Sequence, residues 1–169
     1  MSKGPLPYRI EPLGDHDRAA FSCGVEALDR YLKQQASQEH RRHVAKCFVA
    51  IHTTEETLGG FYTLSASSIL FTDLPAGFTK RLPRYPQVPA ALLGRLAVDR
   101  GYQGRGLGDF LLFDAMRRVL HTDTAAAVLL VDAKDDAAVS FYRRHDFLEI
   151  GPGHKRLYLP VGTIAKIFT

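Results

Sequence analysis

Between Tyr102 and Leu112 the chain reads YQGRGLGDFLL, with glycines at 104, 106 and 108 and an apolar helical pattern directly after them. The chemistry open to such a stretch is the holding of an anion. Where a strand turns tightly into a helix, the first helical N–H groups lack internal partners and the helix dipole presents its positive end. Glycine allows positive φ and a close backbone approach, so a phosphate or pyrophosphate suits the turn. The same glycines equally suit a tight structural corner. Spacing excludes two familiar phosphate motifs. A Walker loop closes on Gly-Lys-Ser/Thr, whereas this turn closes on Gly-Leu-Gly-Asp, and the dinucleotide spacing G-x-G-x-x-G is replaced by G-x-G-x-G. The other chemistry-bearing residue is Tyr142, in SFYRRHDF at 140–147. A phenol with an ordinary pKa of about 10 stays protonated at neutral pH and can donate a proton. On residue pattern alone it reads as an aromatic on a helix's buried face, beside Phe141.

The elements that must position these residues follow from periodicity. YRIEPL at 8–13 reads as a strand, and SCGVEALDRYLKQQA at 22–36 as a helix opened by Ser22 or Cys23, with Glu26 in its first turn. CFVAIHT at 47–53 and LGGFYTLSASSILF at 58–71 are strands. The segment 74–89 carries Pro75, Pro83, Pro86 and Pro89, so an irregular, exposed course is expected. AALLGRLAVD at 90–99 and AAAVLLVDA at 125–133 are apolar enough to be buried on both faces. A helix from Gly106 to about His121 turns Leu107, Phe110, Leu111, Ala115 and Val119 inward. A short helix over 136–145 and strands at FLEI and KRLYLPV complete the chain. The order predicts an α/β fold, a mixed sheet of about six to seven strands flanked by about four helices.

Composition sets the outer limits. With 169 residues, 46% hydrophobic and 24% charged, the chain suits a single domain with a packed core over residues 1–169. Cys23 and Cys47 are too few and too far apart for a disulfide framework and read as reduced thiols. No apolar run reaches the ~18 residues of a membrane span, and MSKGPLPYRI lacks a leader's apolar centre, so a cytoplasmic protein is expected. The formal charge of +4 is unevenly spread, in HRRHVAK at 40–46, KRLPR at 80–84 and the Arg-Arg pairs at 117–118 and 143–144. Each cluster is either a solvated face or part of an anionic partner's footprint.

Three blocks in fixed order, LGRLAVDRGY, then Gln103-x-x-Gly106-x-Gly108, then AAVSFYRRHDF, resemble the GNAT superfamily of acetyl-CoA-dependent N-acetyltransferases. The resemblance covers about residues 47–159. It implies the GNAT fold, acetyl-CoA as cosubstrate and no metal. It further implies that Gln103, Gly104, Arg105, Gly106, Leu107 and Gly108 border or cradle the pyrophosphate. Leu96, Ala97 and Val98 would offer backbone groups to the pantetheine arm, with Phe141 nearby, and Tyr142 would be the general acid. The family often has an asparagine seven positions before this tyrosine, and here Asp135 stands in its place. The glycine usual before the last aromatic is Asp146, a residue that tolerates the left-handed conformation. His43, His145 and Glu149 are available as bases, but no spacing singles one out.

The N-terminal half narrows the resemblance. FSCGVEALDRYLKQQA, KCFVA and GFYTLSASSI are similar to the GNAT toxins of bacterial toxin–antitoxin pairs, and the likeness then spans about residues 8–168. Such a toxin acetylates the α-amino group of the amino acid on charged tRNA, blocks translation, dimerises, and is neutralised by a ribbon-helix-helix antitoxin that binds operator DNA. Arg84 and Arg95 are the residues expected near that substrate, although Arg95 equally suits an internal pair with Asp99 or Asp132. The phosphates of tRNA would meet the clusters Arg41/Arg42/Lys46, Lys80/Arg81/Arg84 and Arg143/Arg144. Two other readings stand beside it: a GNAT enzyme for a small amine or a protein N-terminus, and a coenzyme-binding scaffold that only partners an antitoxin.

Overall fold

The computed structural model describes residues 6–151 and 155–169. The reading of MSKGPLPYRI as lacking a leader's apolar centre falls partly on residues 1–5, outside the described residues. Seven strands form one mixed sheet in the order β1-β2-β3-β4-β5-β7-β6. They are β1 (Tyr8–Pro12), β2 (Lys46–His52), β3 (Leu58–Leu70), β4 (Gln87–Val98), β5 (Val128–Asp132), β6 (Leu148–Glu149) and β7 (Arg156–Pro160). The helices are α1 (Glu26–Gln34), α2 (Ala36–Arg41), α3 (Ala76–Thr79), α4 (Leu107–His121), α5 (Asp136–Arg144) and α6 (Val161–Ile167). The strand count agrees with the sequence reading, and the helices beyond the expected four are short.

The chain divides into two compact units. The first takes residues up to 64 together with 95–115. There β1 pairs antiparallel with β2, and β2 with β3. Phe21, Tyr31, Leu32, Val49, Ile51, Phe61 and Ala97 are buried together in its core. The second takes 65–94 and 116–169. There β4 runs parallel to β5 over Ala90–Leu93, and β5 pairs antiparallel with β7. Val128 to Val131 are wholly buried, as an apolar strand covered on both faces must be.

Three local differences from the sequence reading have physical causes. Helix α1 begins at Glu26, not at Ser22 or Cys23, because Gly24 adopts φ +96 and breaks the helical path before it. Asp29 reaches back and accepts a hydrogen bond from the Cys23 amide at 2.8 Å. The segment 74–89 is not irregular throughout. It contains α3, buries Leu74 and Thr79, and enters β4 at Gln87. Pro89 lies just ahead of the paired stretch that starts at Ala90, so its missing N–H removes no ladder bond to β5. Helix α4 buries Leu107, Leu111, Ala115 and Val119 as expected, but Phe110 is only half-buried, while Leu112, Asp114 and Met116 are buried too. Asp114 is tolerated there because the Tyr62 hydroxyl donates a hydrogen bond to it.

Candidate functional site

The glycine turn is fastened from behind and open in front. Asp99, at the end of β4, caps the short 3-10 turn at Arg100–Tyr102 and accepts from the Gly101 amide at 2.8 Å. Its other oxygen accepts from the Ser22 amide at 2.9 Å, and the Arg100 amide donates to the Ser22 carbonyl at 2.8 Å. Gln103 donates from Nε2 to two carbonyls, those of Cys23 at 3.0 Å and Val98 at 2.9 Å. Its amide is therefore spent on holding the turn to the N-terminal segment and to β4. Gly104 and Gly106 take φ +76 and +83, and a Cβ placed on either would meet nothing within 4 Å. The space beside both glycines is open, which leaves their backbone accessible to an anion. Arg105 is exposed between the two glycines, whereas the Leu107 side chain is buried, which leaves only the Leu107 amide for a ligand. Gly108 follows within the first turn of α4.

Leu96, Ala97 and Val98 form the last turn of pleat in β4, beyond the stretch registered with β5 at Ala90–Leu93. No register with β5 extends to these three residues, and the Val98 carbonyl accepts from Gln103. Arg95 does not pair with Asp99 or Asp132. Its guanidinium lies over the Tyr31 ring, 3.6 Å from the centroid, a cation–π contact that fixes its direction. Asp132 instead binds Arg156 through two hydrogen bonds of 2.7 and 2.9 Å. Tyr31 belongs to the LDRYL block, so the signal for this contact was present in the sequence, although nothing there linked it to Arg95.

In the second unit, Tyr142 sits on α5 with 7% of its surface exposed, edge-on to Phe141 and to Phe147 at 5.2 and 5.3 Å between ring centroids. Burial pushes its hydroxyl well above a tyrosine's ordinary range. The hydroxyl makes no hydrogen bond among the described residues. A fully protonated phenol with no internal acceptor is the arrangement a proton donor needs. Asp135 is the N-cap of α5 and accepts from the Ala138 amide at 2.8 Å, which gives it a structural task in place of the asparagine's ligand contact. Asp146 adopts φ +70, the left-handed conformation that an aspartate tolerates. The three candidate bases have other partners or surroundings. His43 meets the Lys46 ammonium at 2.9 Å, Glu149 lies 3.9 Å from Arg143, and His145 packs against the Phe141 ring.

Arg84 is exposed and pairs with nothing among the described residues, as are Lys80 and Arg81. The other clusters are partly engaged, Lys46 by His43 and the His40 carbonyl, and Arg143 by Glu149. Among the described residues no group of three or more His, Cys, Asp or Glu is placed to hold a metal ion, and no helix is long and apolar enough to cross a membrane.

Comparison with known proteins gives the family. A family model described as an acetyltransferase (GNAT) domain matches residues 37–161. A tRNA-acetylating toxin of Mycobacterium tuberculosis is 38% identical over 154 residues, covering 90% of this chain and 89% of that protein. The solved structure of AtaT complexed with acetyl-methionyl-tRNAfMet superposes with a TM-score of 0.87 at 32% identity, over 96% of this chain and 99% of the other. A tyrosine-to-phenylalanine mutant of AtaT, bound to the C-terminus of the antitoxin AtaR and acetyl-CoA, gives 0.82 at 29% identity with the same coverage. The family model spans most of the length and a relative 38% identical covers nine-tenths of it, so the chain is a member of the GNAT acetyltransferase family.

Proposed function

We propose that this protein is the toxin of a toxin–antitoxin pair and transfers the acetyl group of acetyl-CoA to the α-amino group of an aminoacyl-tRNA, so that translation stops. The observation that carries this reading is the 38% identity with a tRNA-acetylating toxin along nine-tenths of the chain. Acetyl-CoA supplies an activated acetyl thioester. The amides of Gly104 to Gly108, with Arg105, hold its pyrophosphate, and Leu107 contributes its backbone only. Backbone groups of Leu96, Ala97 and Val98 receive the pantetheine arm, and a donor among them aimed at the thioester oxygen acts most strongly as that oxygen gains charge. Phe141 flanks the coenzyme. Gln103 serves by holding the turn.

The amine attacks as its neutral base. An aminoacyl ester is less basic than a lysine, so a fair fraction is already unprotonated and no dedicated base is required. The nitrogen forms its bond to the acetyl carbon as the carbon–sulfur bond breaks, Tyr142 delivers its proton to the departing sulfur, and the nitrogen releases one of its own protons to water, from which the Tyr142 phenolate is reprotonated. Arg84 and Arg95 act on the acceptor. A homodimer and a ribbon-helix-helix antitoxin complete the assembly, operator DNA being reached through the antitoxin alone, and the site of action is the cytoplasm, where charged tRNA is found.

The test is label transfer from radiolabelled acetyl-CoA to charged tRNA, with deacylated tRNA and a peptide amine alongside. Label on the charged tRNA alone is expected. Label on the peptide, or on neither, overturns the substrate while leaving the coenzyme turn intact.

A further inference from the structure

The segment between β3 and β4 is anchored at almost every apolar position but one. Leu74 is buried, and Phe78 and Leu82 pack against the same core cluster, with the Phe78 ring 5.9 Å from that of Tyr158. Tyr85 is the exception, with 69% of its surface exposed. Its position is nonetheless fixed. Pro83 and Pro86 flank it, its amide donates to the Pro83 carbonyl at 3.0 Å, and the Pro86 carbonyl accepts from the Phe71 amide at 3.0 Å. Proline and these two bonds remove most of the conformational freedom that a ligand would otherwise have to freeze. On the same segment, within five residues of this ring in sequence, are Lys80, Arg81 and Arg84, all exposed and without an ion-pair partner among the described residues. A ring left exposed on a loop restrained in this way gains little from burial and is available to a ligand.

We propose that Tyr85 is a stacking platform for an unpaired base at the single-stranded 3′ end of the tRNA, with Lys80, Arg81 and Arg84 contacting the phosphates that flank that base. The proposal rests on charged tRNA being the acceptor. Cations alone would hold duplex and single strand alike; the ring adds a preference for nucleotides whose faces are free. Such stacking tolerates any base, so it adds affinity without selecting among tRNAs.

The test uses deacylated acceptor-stem hairpins, with and without the unpaired 3′ strand, bound to the full-length protein at one salt concentration. The wild type binds the hairpin carrying the strand about five- to a hundredfold more tightly. Tyr85→Ala loses that preference, while Tyr85→Phe and Tyr85→Trp keep it, and unchanged acetyl-CoA affinity shows that each variant is folded. A preference that survives in Tyr85→Ala, an absent preference in the wild type, or an equal loss in Tyr85→Phe overturns the proposal. So does a Tyr85→Ala variant that keeps the preference but releases an antitoxin peptide, which would give the surface to a protein. Because the hairpins carry no amino acid, a wild type that fails to acetylate charged tRNA yet keeps a Tyr85-dependent preference refutes the acceptor assignment and not the contact.

Discussion

Tyr142 combines two properties that burial normally sets against each other: it is almost enclosed, yet its hydroxyl has no acceptor among the described residues. Replacing it with phenylalanine removes an oxygen that takes part in no internal hydrogen bond, so the fold and acetyl-CoA affinity should survive. Acetyl transfer should fall by ~10²–10⁴-fold, the scale of a missing general acid, as read by label transfer beside calorimetric binding. Unchanged turnover would remove Tyr142 from the mechanism. The pH dependence follows from the direction of its shift. The protonated form is the active one, and burial raises the pKa, so the alkaline loss of activity moves above the ordinary tyrosine value of about 10. The acid limb then reports the acceptor amine, and a rate that already falls between pH 8 and 9 would contradict this order.

Glycines in and behind the turn do different work, and substitution separates them. Gly106 has φ +83 with open space where a Cβ would stand. Gly106→Val therefore strains the backbone by about 1–3 kcal/mol and sets its methyl groups into the open space beside the turn. A folded protein that no longer binds acetyl-CoA is expected by calorimetry; tight binding would refute the cradle. Gly60 lies behind, where a Cβ would come within 2.9 Å of Leu111 Cδ1 and 3.0 Å of the Ala97 carbonyl. Gly60→Ala should cost about 1–3 kcal/mol in denaturant unfolding. The strands and α4 were legible in the sequence because their periodicity is strong. The start of α1 was not, since Gly24 interrupts an apolar pattern that continues through it. Neither was α6, which is short and follows a proline. The turn and Tyr142 were legible as motifs, but the employment of Gln103 as a brace and the seating of Arg95 on Tyr31 depend on residues brought together from distant parts of the chain.

Across the molecule, the positive charge is not uniform in its availability. Lys80, Arg81 and Arg84 are unengaged among the described residues, whereas Lys46 and Arg143 have neighbours that share their charge. Reversing Arg81 and Arg84 to glutamate should therefore raise the KM for charged tRNA and flatten its dependence on salt, because every phosphate left without its cation keeps a counterion that binding would have released. No change in either would return these residues to a merely solvated face. The brace behind the turn has a consequence in time as well as in space. Gln103 reaches Cys23 across 80 residues of sequence, and Asp99 reaches Ser22 across 77. At ribosomal rates of about 5–20 residues per second, the N-terminal segment waits roughly 4–16 s before its partners are even synthesised. The turn is thus a product of the second half of translation: its last glycine, Gly108, is joined only after about two-thirds of the 169 residues, and until then the growing chain has no place for the proposed coenzyme.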